Sequence, residues 1–400
     1  MKKTNQSSSQ MKVYLDNGAT TKTAEEVVKE MNIYFQTKYG NASSLHSFGQ
    51  EANEALENSR KIIAEKINAL PEEIIFTSGG TESDNFAVKG IAYANKNKGN
   101  HIITSKFEHP AVLNMCKELE KEGFTVTYLN VSKEGIVDID QLKAEIRKKA
   151  GKTILVTIMH ANNEIGTIQP IKEIGEICKL NKIAFHTDAV QSFTKAKIDV
   201  QEMNIDLLSL SAHKLHGPKG VGALYIKKGT EIKKQAIGGH HEFNLRAGTE
   251  NISGIVGFAK AASLVNDEEI KNMTGLRNYL IDNLLKIPNT QLNGSREKRL
   301  CNNVNIAFNF VEGESLLLYL NQNGIAVSTG SACSSKSLEP SHVLLSLGLK
   351  HEICHGSIRF SLSKYTTKKE LDYTIKNVKA AVEKLRALSP LNEKVKYTAK

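Results

Sequence analysis

No run of apolar residues in this 400-residue chain approaches the roughly 20 that a membrane helix needs, although hydrophobic residues make up 40% of it. The opening MKKTNQSSSQ has lysines but no arginine and no apolar stretch behind them. That start excludes a secretory signal and argues against a mitochondrial presequence. Cysteine is scarce and widely spaced (Cys116, Cys178, Cys301, Cys333 and Cys354), giving neither a disulfide framework nor a CxxC zinc pattern. There is no internal repeat and no long low-complexity linker. A soluble, cytoplasmic protein with reduced thiols and no membrane partner is expected.

Charged residues make up 24% of the chain, a globular composition. The 53 Lys and Arg against 43 Asp and Glu leave a formal charge of +10. Such a balance suits nucleic acid, an acidic partner or a lysine-rich proteome. The lysines are scattered, without an aromatic-interleaved stripe or zinc-finger spacing, so nucleic acid is not the favoured reading. At roughly 100–200 residues per domain the length predicts two or three domains.

Short β-branched runs alternate with helical patterns. Ile74–Thr77, His101–Thr104, Thr125–Leu129, Ile154–His160, Ile183–His186 and Leu207–Leu210 read as strands of a mostly parallel sheet. Ser43–Asn68, Ser83–Asn97, Ala111–Glu122 and Ile171–Leu180 read as helices between them. This alternation predicts an α/β fold, a sheet with helices on both faces and ligands beyond the carboxyl ends of its strands. Past Ile255 the pattern changes: a long helical region over Ser253–Ile287, apolar segments Asn303–Phe310 and Ala326–Ser328 around a helix at Glu314–Gln322, a strand at Ser357–Ser361 and a helix over Lys368–Leu388. A smaller α+β domain is expected there.

Three strand ends carry chemistry. Ser78-Gly79-Gly80-Thr81-Glu82 opens a helix directly after a strand, where glycines, free N–H groups and a hydroxyl suit a phosphate; an ordinary capped turn is the plain alternative. Asp188, with Gln191 three residues on, can bind metal, act as a base, pair with a cationic ring nitrogen or simply cap a helix. Ser211-Ala212-His213-Lys214 offers a lysine among small and hydroxyl residues, either a surface residue or an amine nucleophile toward an aldehyde carbon. Singly none decides anything. Together, a phosphate cradle (Gly80, Thr81, Ser211, His213), an acid for a pyridinium nitrogen and an amine are what pyridoxal 5'-phosphate requires.

At this point the sequence resembles the cysteine desulfurases of the IscS/NifS type, within the fold type I pyridoxal-phosphate enzymes. The likeness covers nearly the whole chain, through YLDNGATT (Tyr14–Thr21), YGNASSLHSFG (Tyr39–Gly49), FTSGGTESDN (Phe76–Asn85), EHPAV (Glu108–Val112), HANNEIGTIQP (His160–Pro170), HTDAVQ (His186–Gln191), SAHKLHGPKG (Ser211–Gly220), RAGTEN (Arg246–Asn251), STGSACSS (Ser328–Ser335) and SIRFSLS (Ser357–Ser363). It implies a large cofactor domain at 23–257 with a seven-stranded, mostly parallel sheet. A smaller α+β domain, from 11–22 and 258–400, would carry a catalytic-cysteine loop at about 324–340.

By this resemblance His109 stacks on the cofactor ring and moves protons, Gln191 meets the ring hydroxyl, and Asn163 contacts cofactor and substrate carboxylate. Arg359 clamps that carboxylate with its planar fork. Thr249 reaches the phosphate of a neighbouring subunit, implying a homodimer. Cys333, among small polar residues typical of a mobile loop, attacks the sulfur of L-cysteine, releasing L-alanine and leaving a persulfide. The segment from Gly324 to Pro340 resembles longer-loop desulfurases, as opposed to the short-loop SufS type, and points to an iron–sulfur scaffold of the IscU type as acceptor. No resident metal is implied, only transient contact of Cys333 with a cluster on a partner. His351-Glu352-Ile353-Cys354-His355 fits H-E-x-x-H but runs at once into Gly356 and a strand, lacking the long helix of such zinc sites. Two departures from the family pattern stand out. Glu242-Phe243-Asn244 lacks a usual glycine beside the turn presenting Thr249, and His216 replaces a common aromatic near the lysine. A selenocysteine lyase or an aminotransferase is the nearest alternative; a basic nucleic-acid binder or sulfur-assembly scaffold is the non-enzymatic one.

Overall fold

The computed structural model describes residues 11–329 and 339–388. Its thirteen described strands are β1 (Val13–Tyr14), β2 (Ile74–Thr77), β3 (His101–Ser105), β4 (Thr125–Leu129), β5 (Thr153–Thr157), β6 (Ala184–Asp188), β7 (Leu207–Ser211), β8 (Gly222–Ile226), β9 (Thr290–Leu292), β10 (Asn303–Phe308), β11 (Ile325–Ala326), β12 (Ser328–Thr329) and β13 (Ser357–Ser361). A seven-stranded sheet runs β2-β8-β7-β6-β5-β3-β4. Every pair in it is parallel except those of β8, which lies antiparallel to both β2 and β7. The sheet's two faces are covered by separate apolar clusters. One includes Phe107, Phe185 and Phe258, the other Phe86, Ile91 and Leu119. Burial on both faces explains why these strands read as continuous apolar runs.

The alternation seen in the sequence misses β8. A strand that follows β7 after only a short turn, with no helix between, breaks the strand–helix rhythm. Gly222 at its start is required by crowding: a Cβ there would lie 2.4 Å from the carbonyl oxygen of Leu210 and 2.7 Å from Cα of Gly79. The expected strand Ile154–His160 ends at Thr157, because the chain then bends toward the cavity described below while Ile158 and His160 still donate to carbonyls of β6. The long helical region is two helices, Ile252–Leu264 and Asp267–Leu284, interrupted where Asn266 turns extended and accepts from the Glu269 N–H at 3.0 Å. Helices Glu25–Gln36 and Ile139–Lys148 went unassigned in the sequence reading.

Beyond the large sheet, a four-stranded sheet, β12-β13-β10-β9, has its own core around Leu280, Ile306, Phe308, Phe360 and Val378. The apolar segment Ala326–Ser328 is split between two sheets. Parallel pairing joins β11 to β1 from the chain's beginning, and β12 joins β13 with Ser328 opposite Arg359. This arrangement carries the residues after Tyr14 back over the carboxyl ends of the large sheet. Among the described residues no helix is long and apolar enough to cross a membrane.

Candidate active site

A cavity of about 650 Å³ opens at the carboxyl ends of the parallel strands. Strand ends supply its chemistry: Asp188 is the last residue of β6, Ser211 the last of β7, and Lys214 closes the short 3₁₀ turn Ala212–Lys214 that follows. Gly80, Thr81, His109, Asn163, Gln191, His213 and Arg359, all expected at the site, line the same cavity. A larger cavity of about 800 Å³ lies at the opposite ends of the strands, and its lining includes the basic side chains of Lys98, Lys149, Lys182 and Lys228. It holds part of the basic surplus and none of these strand-end groups.

The Lys214 Nζ donates to the carbonyl oxygens of Gly18 and Ala19, both at 2.7 Å. Asp188 is buried and accepts from the Val190 N–H at 2.9 Å. Burial raises its pKa, opposed by His109, the Val190 N–H and Lys214. A second carboxyl, Asp84, is fully enclosed nearby, and its pKa rises further, through burial and then repulsion from Asp188. Two carboxylates in one dry site do not both ionise. Asp84 has no cation beside it apart from His186 at 3.7 Å, whose own basicity burial suppresses to about 3. Asp84 is therefore the acid that holds its proton more tightly, and Asp188 the one that ionises first.

His109 caps the helix Pro110–Lys121, its Nδ1 accepting from the Ala111 N–H at 3.1 Å. That bond fixes Nδ1 as an acceptor and leaves the proton of the neutral ring on Nε2. Burial lowers its pKa, partly offset by Asp188 and reinforced by Lys214 and His342. Gln191 donates to Gly18 O at 3.0 Å. Arg359, buried on β13, donates from Nη2 to Asp16 Oδ1 at 2.9 Å and from Nη1 to Asn163 O at 3.0 Å, while its buried Nε has no partner among the described residues.

A recess of about 350 Å³ adjoins the cavity and shares Gly80, Thr81, Ser211 and His213 with it. The Ser211 hydroxyl is buried there without a partner among the described residues. At Gly80 a Cβ would lie 2.6 Å from Val190 Cγ2. His213 Nδ1 pairs with Thr20 Oγ1 at 3.1 Å, and burial followed by Lys214 lowers its pKa to about 4, so it is neutral at pH 7. An orphaned hydroxyl beside a helix start and a glycine that admits close approach suit a phosphate. A buried carboxyl at Asp188 suits a protonated ring nitrogen. The residues fit pyridoxal phosphate.

Two expected residues stand apart. Thr249 is exposed and lines a neighbouring recess with Ser78, Gly220 and Arg246. His216 packs edge-on against Tyr365 at 5.1 Å and bonds Lys22 O, away from the cavity. Cys333 lies outside the described residues, but both flanks approach the cavity. Ser328 pairs with Arg359, Ser341 Oγ bonds Glu164 at 2.5 Å, and His342 lines the wall. Sequence reasoning gave no role to Asp16, Gly18, Ala19, Asp84, Glu164 or His342. All but His342 stand inside motifs quoted for the family resemblance, the only signal they offered.

The Aminotransferase class-V family matches residues 13–374. Cysteine desulfurase IscS of Dictyoglomus turgidum is 54% identical, across 97% of this chain and 99% of that protein. The Methanosarcina thermophila protein of the same name is also 54% identical, across 96% of this chain and 95% of its own length. A solved NifS-like protein, 38% identical, superposes with a TM-score of 0.87, covering 93% of this chain and all of its own (100%). A structure of SspA in complex with cysteine, 36% identical, superposes at 0.80 over 89% of this chain and 100% of its own. This chain belongs to the class-V aminotransferase family, among its IscS-type cysteine desulfurases.

Proposed function

We propose that this chain converts L-cysteine and an acceptor thiol to L-alanine and a persulfide, with Cys333 as the first acceptor. The substrate's carbon–sulfur bond breaks, a sulfur–sulfur bond forms on Cys333, and the thiol protons of the two partners end on the persulfide and on alanine. When bound, pyridoxal phosphate supplies an electron sink for negative charge developing on the substrate's carbons. Lys214 is the amine that holds the cofactor's aldehyde carbon and that moves protons after exchange. Asp188, the acid that ionises first, holds the proton on the ring nitrogen. Ser211, Thr81, Gly80 and His213 bind the phosphate, and Gln191 the ring hydroxyl. His109, neutral and half-buried near Lys214, covers the ring and shuttles protons. Arg359 and Asn163 take the substrate's carboxylate.

The observation that carries this reading is the convergence of Lys214, Asp188 and Arg359 on one cavity, with both described flanks of the Cys333 segment at that cavity. The remaining cysteines offer no rival nucleophile: Cys116, Cys178, Cys301 and Cys354 are all buried. Burial pushes the thiol of Cys116 to about 12 and that of Cys354 to about 11.

The remaining parts of the proposal are a homodimer, an iron–sulfur scaffold of the IscU type as onward acceptor, and the cytoplasm, which keeps such thiols reduced. A second copy is supported by Ile33, Phe35, Tyr39, Leu45 and Phe48, large apolar side chains exposed along one stretch, Leu45 at 93%. Thr249, exposed beside the phosphate recess, would then complete the partner's phosphate site. Separate cores under the two main sheets support a division near 23–257 and the combined 11–22 and 258–400, with Phe258, Ala261, Ala262, Val343, Leu344, Leu347 and Cys354 joining the core of the large sheet.

A spectrum and an assay test the reading together. The purified protein is expected to be yellow, to change its visible band on addition of L-cysteine, and to form alanine. Cys333→Ser should retain the band while alanine formation falls roughly a thousand-fold or more. A colourless protein that cannot be loaded, or undiminished alanine formation in the variant, would overturn it.

A further inference from the structure

We propose that Asp16 is an internal stand-in for the substrate's carboxylate on Arg359, so that L-cysteine binds by exchanging one carboxylate for another. The inference rests on the reading of Arg359 as the carboxylate clamp.

The guanidinium is enclosed, with 3% of its side chain exposed, and cannot follow a departing partner into water. Gly18 packs against it so closely that a Cβ there would lie 3.3 Å from Cζ and 3.4 Å from Nε. Its contact with Asn163 is to a neutral carbonyl. Among the described residues its one close anion is Asp16, and that side chain keeps 21% exposure. Asp16 is therefore the half of the pair that can turn to solvent. The buried Nε–H, without a partner among the described residues, is an unused donor on the same fork.

The second carboxyl that feels Arg359 is Glu164. Burial raises its pKa to about 7, opposed by the Ser341 hydroxyl and by Arg359, so it does not supply a full neutralising charge near pH 7. With Asp16 in place Arg359 belongs to a neutral pair. An incoming carboxylate then meets hydrogen-bond donors but little net attraction. Two consequences follow for the empty and product-bound enzyme. The buried cation is never left without a counter-charge, which is costly. Every amino-acid carboxylate is also held less tightly, including that of L-alanine, which must leave.

The test uses holoenzyme, calorimetric titration and steady-state kinetics. Asp16→Asn keeps the shape and removes the charge. It should tighten L-alanine binding about tenfold and lower KM for L-cysteine, while L-alaninamide, lacking the carboxylate, binds as before. Weaker or unchanged L-alanine binding would overturn the proposal, since a residue that merely orients Arg359 gives that result. An equal gain for the amide would overturn it too. Asp16→Ser, checked by thermal unfolding, separates lost charge from lost fold and should also tighten binding. Arg359→Gln separates the two readings. If it leaves L-alanine binding unchanged, the clamp itself is wrong. If it weakens binding while Asp16→Asn fails to strengthen it, only the stand-in is wrong.

Discussion

At the scale of single residues, the site is governed by which buried acids keep their protons. Glu108 illustrates it. Wholly buried, it accepts from Ser105 Oγ at 2.6 Å and from the Met159 N–H at 3.0 and 3.1 Å, steadying the turn that leads to Asn163. Burial pushes its pKa to about 8, far above the range of an exposed glutamate. The folded state then holds this proton while the unfolded chain has lost it. This group's contribution therefore falls as pH rises from about 4.5 toward 8. Glu108→Gln should flatten that decline, and urea midpoints measured between pH 5 and pH 8 check it; equal slopes in both proteins would refute it. Such effects were illegible in the sequence, where Glu108 is one letter beside His109. Lys214, Asp188 and Ser211 were legible because each closes an apolar run. The Asp16–Arg359 pair was not, because its members are 343 residues apart.

Among elements, the short stretch Glu242-Phe243-Asn244 stands out for its backbone. All three residues have positive φ, 46°, 55° and 64°. Side chains with a Cβ rarely adopt that region. What holds it is Glu242, buried and bonded to Arg60 at 2.8 and 3.0 Å and to the Phe76 N–H at 2.7 Å. Phe243 adds its ring, 4.9 Å from the same guanidinium. Asparagine tolerates this conformation better than alanine does. Asn244→Ala should therefore cost about 1 kcal/mol, while Asn244→Gly should be neutral within about 0.5 kcal/mol; denaturant unfolding distinguishes the two. The missing glycine was visible in the sequence as a departure from the family pattern. Its remedy was not, since Arg60 lies 182 residues away. Strand β8 escaped for a related reason: its partners are set by sheet order, and nothing local announces an antiparallel insertion.

For the whole molecule, the exposed apolar stretch from Ile33 to Phe48 sets the expectation of a second copy. Leu45→Asp should shift sedimentation from twice the chain mass toward one, and an unchanged dimer would remove Leu45 from the interface. The fold class and the mostly parallel character of the sheet were legible because strand–helix alternation leaves few topologies; the order of its strands was not. The return of the chain's beginning to its end was legible only through the family resemblance, which grouped 11–22 with 258–400. That return has a consequence for synthesis. Val13 pairs with Ile325, and Asp16 bridges Ser361. The carbonyls of Gly18 and Ala19 that receive the Lys214 amine are thus secured by strands that leave the ribosome last. A nascent chain that has passed Ile226 already carries the reactive amine, the phosphate cradle and β8. It gains a closed site only once Ser361 has emerged and Asp16 can bridge to it.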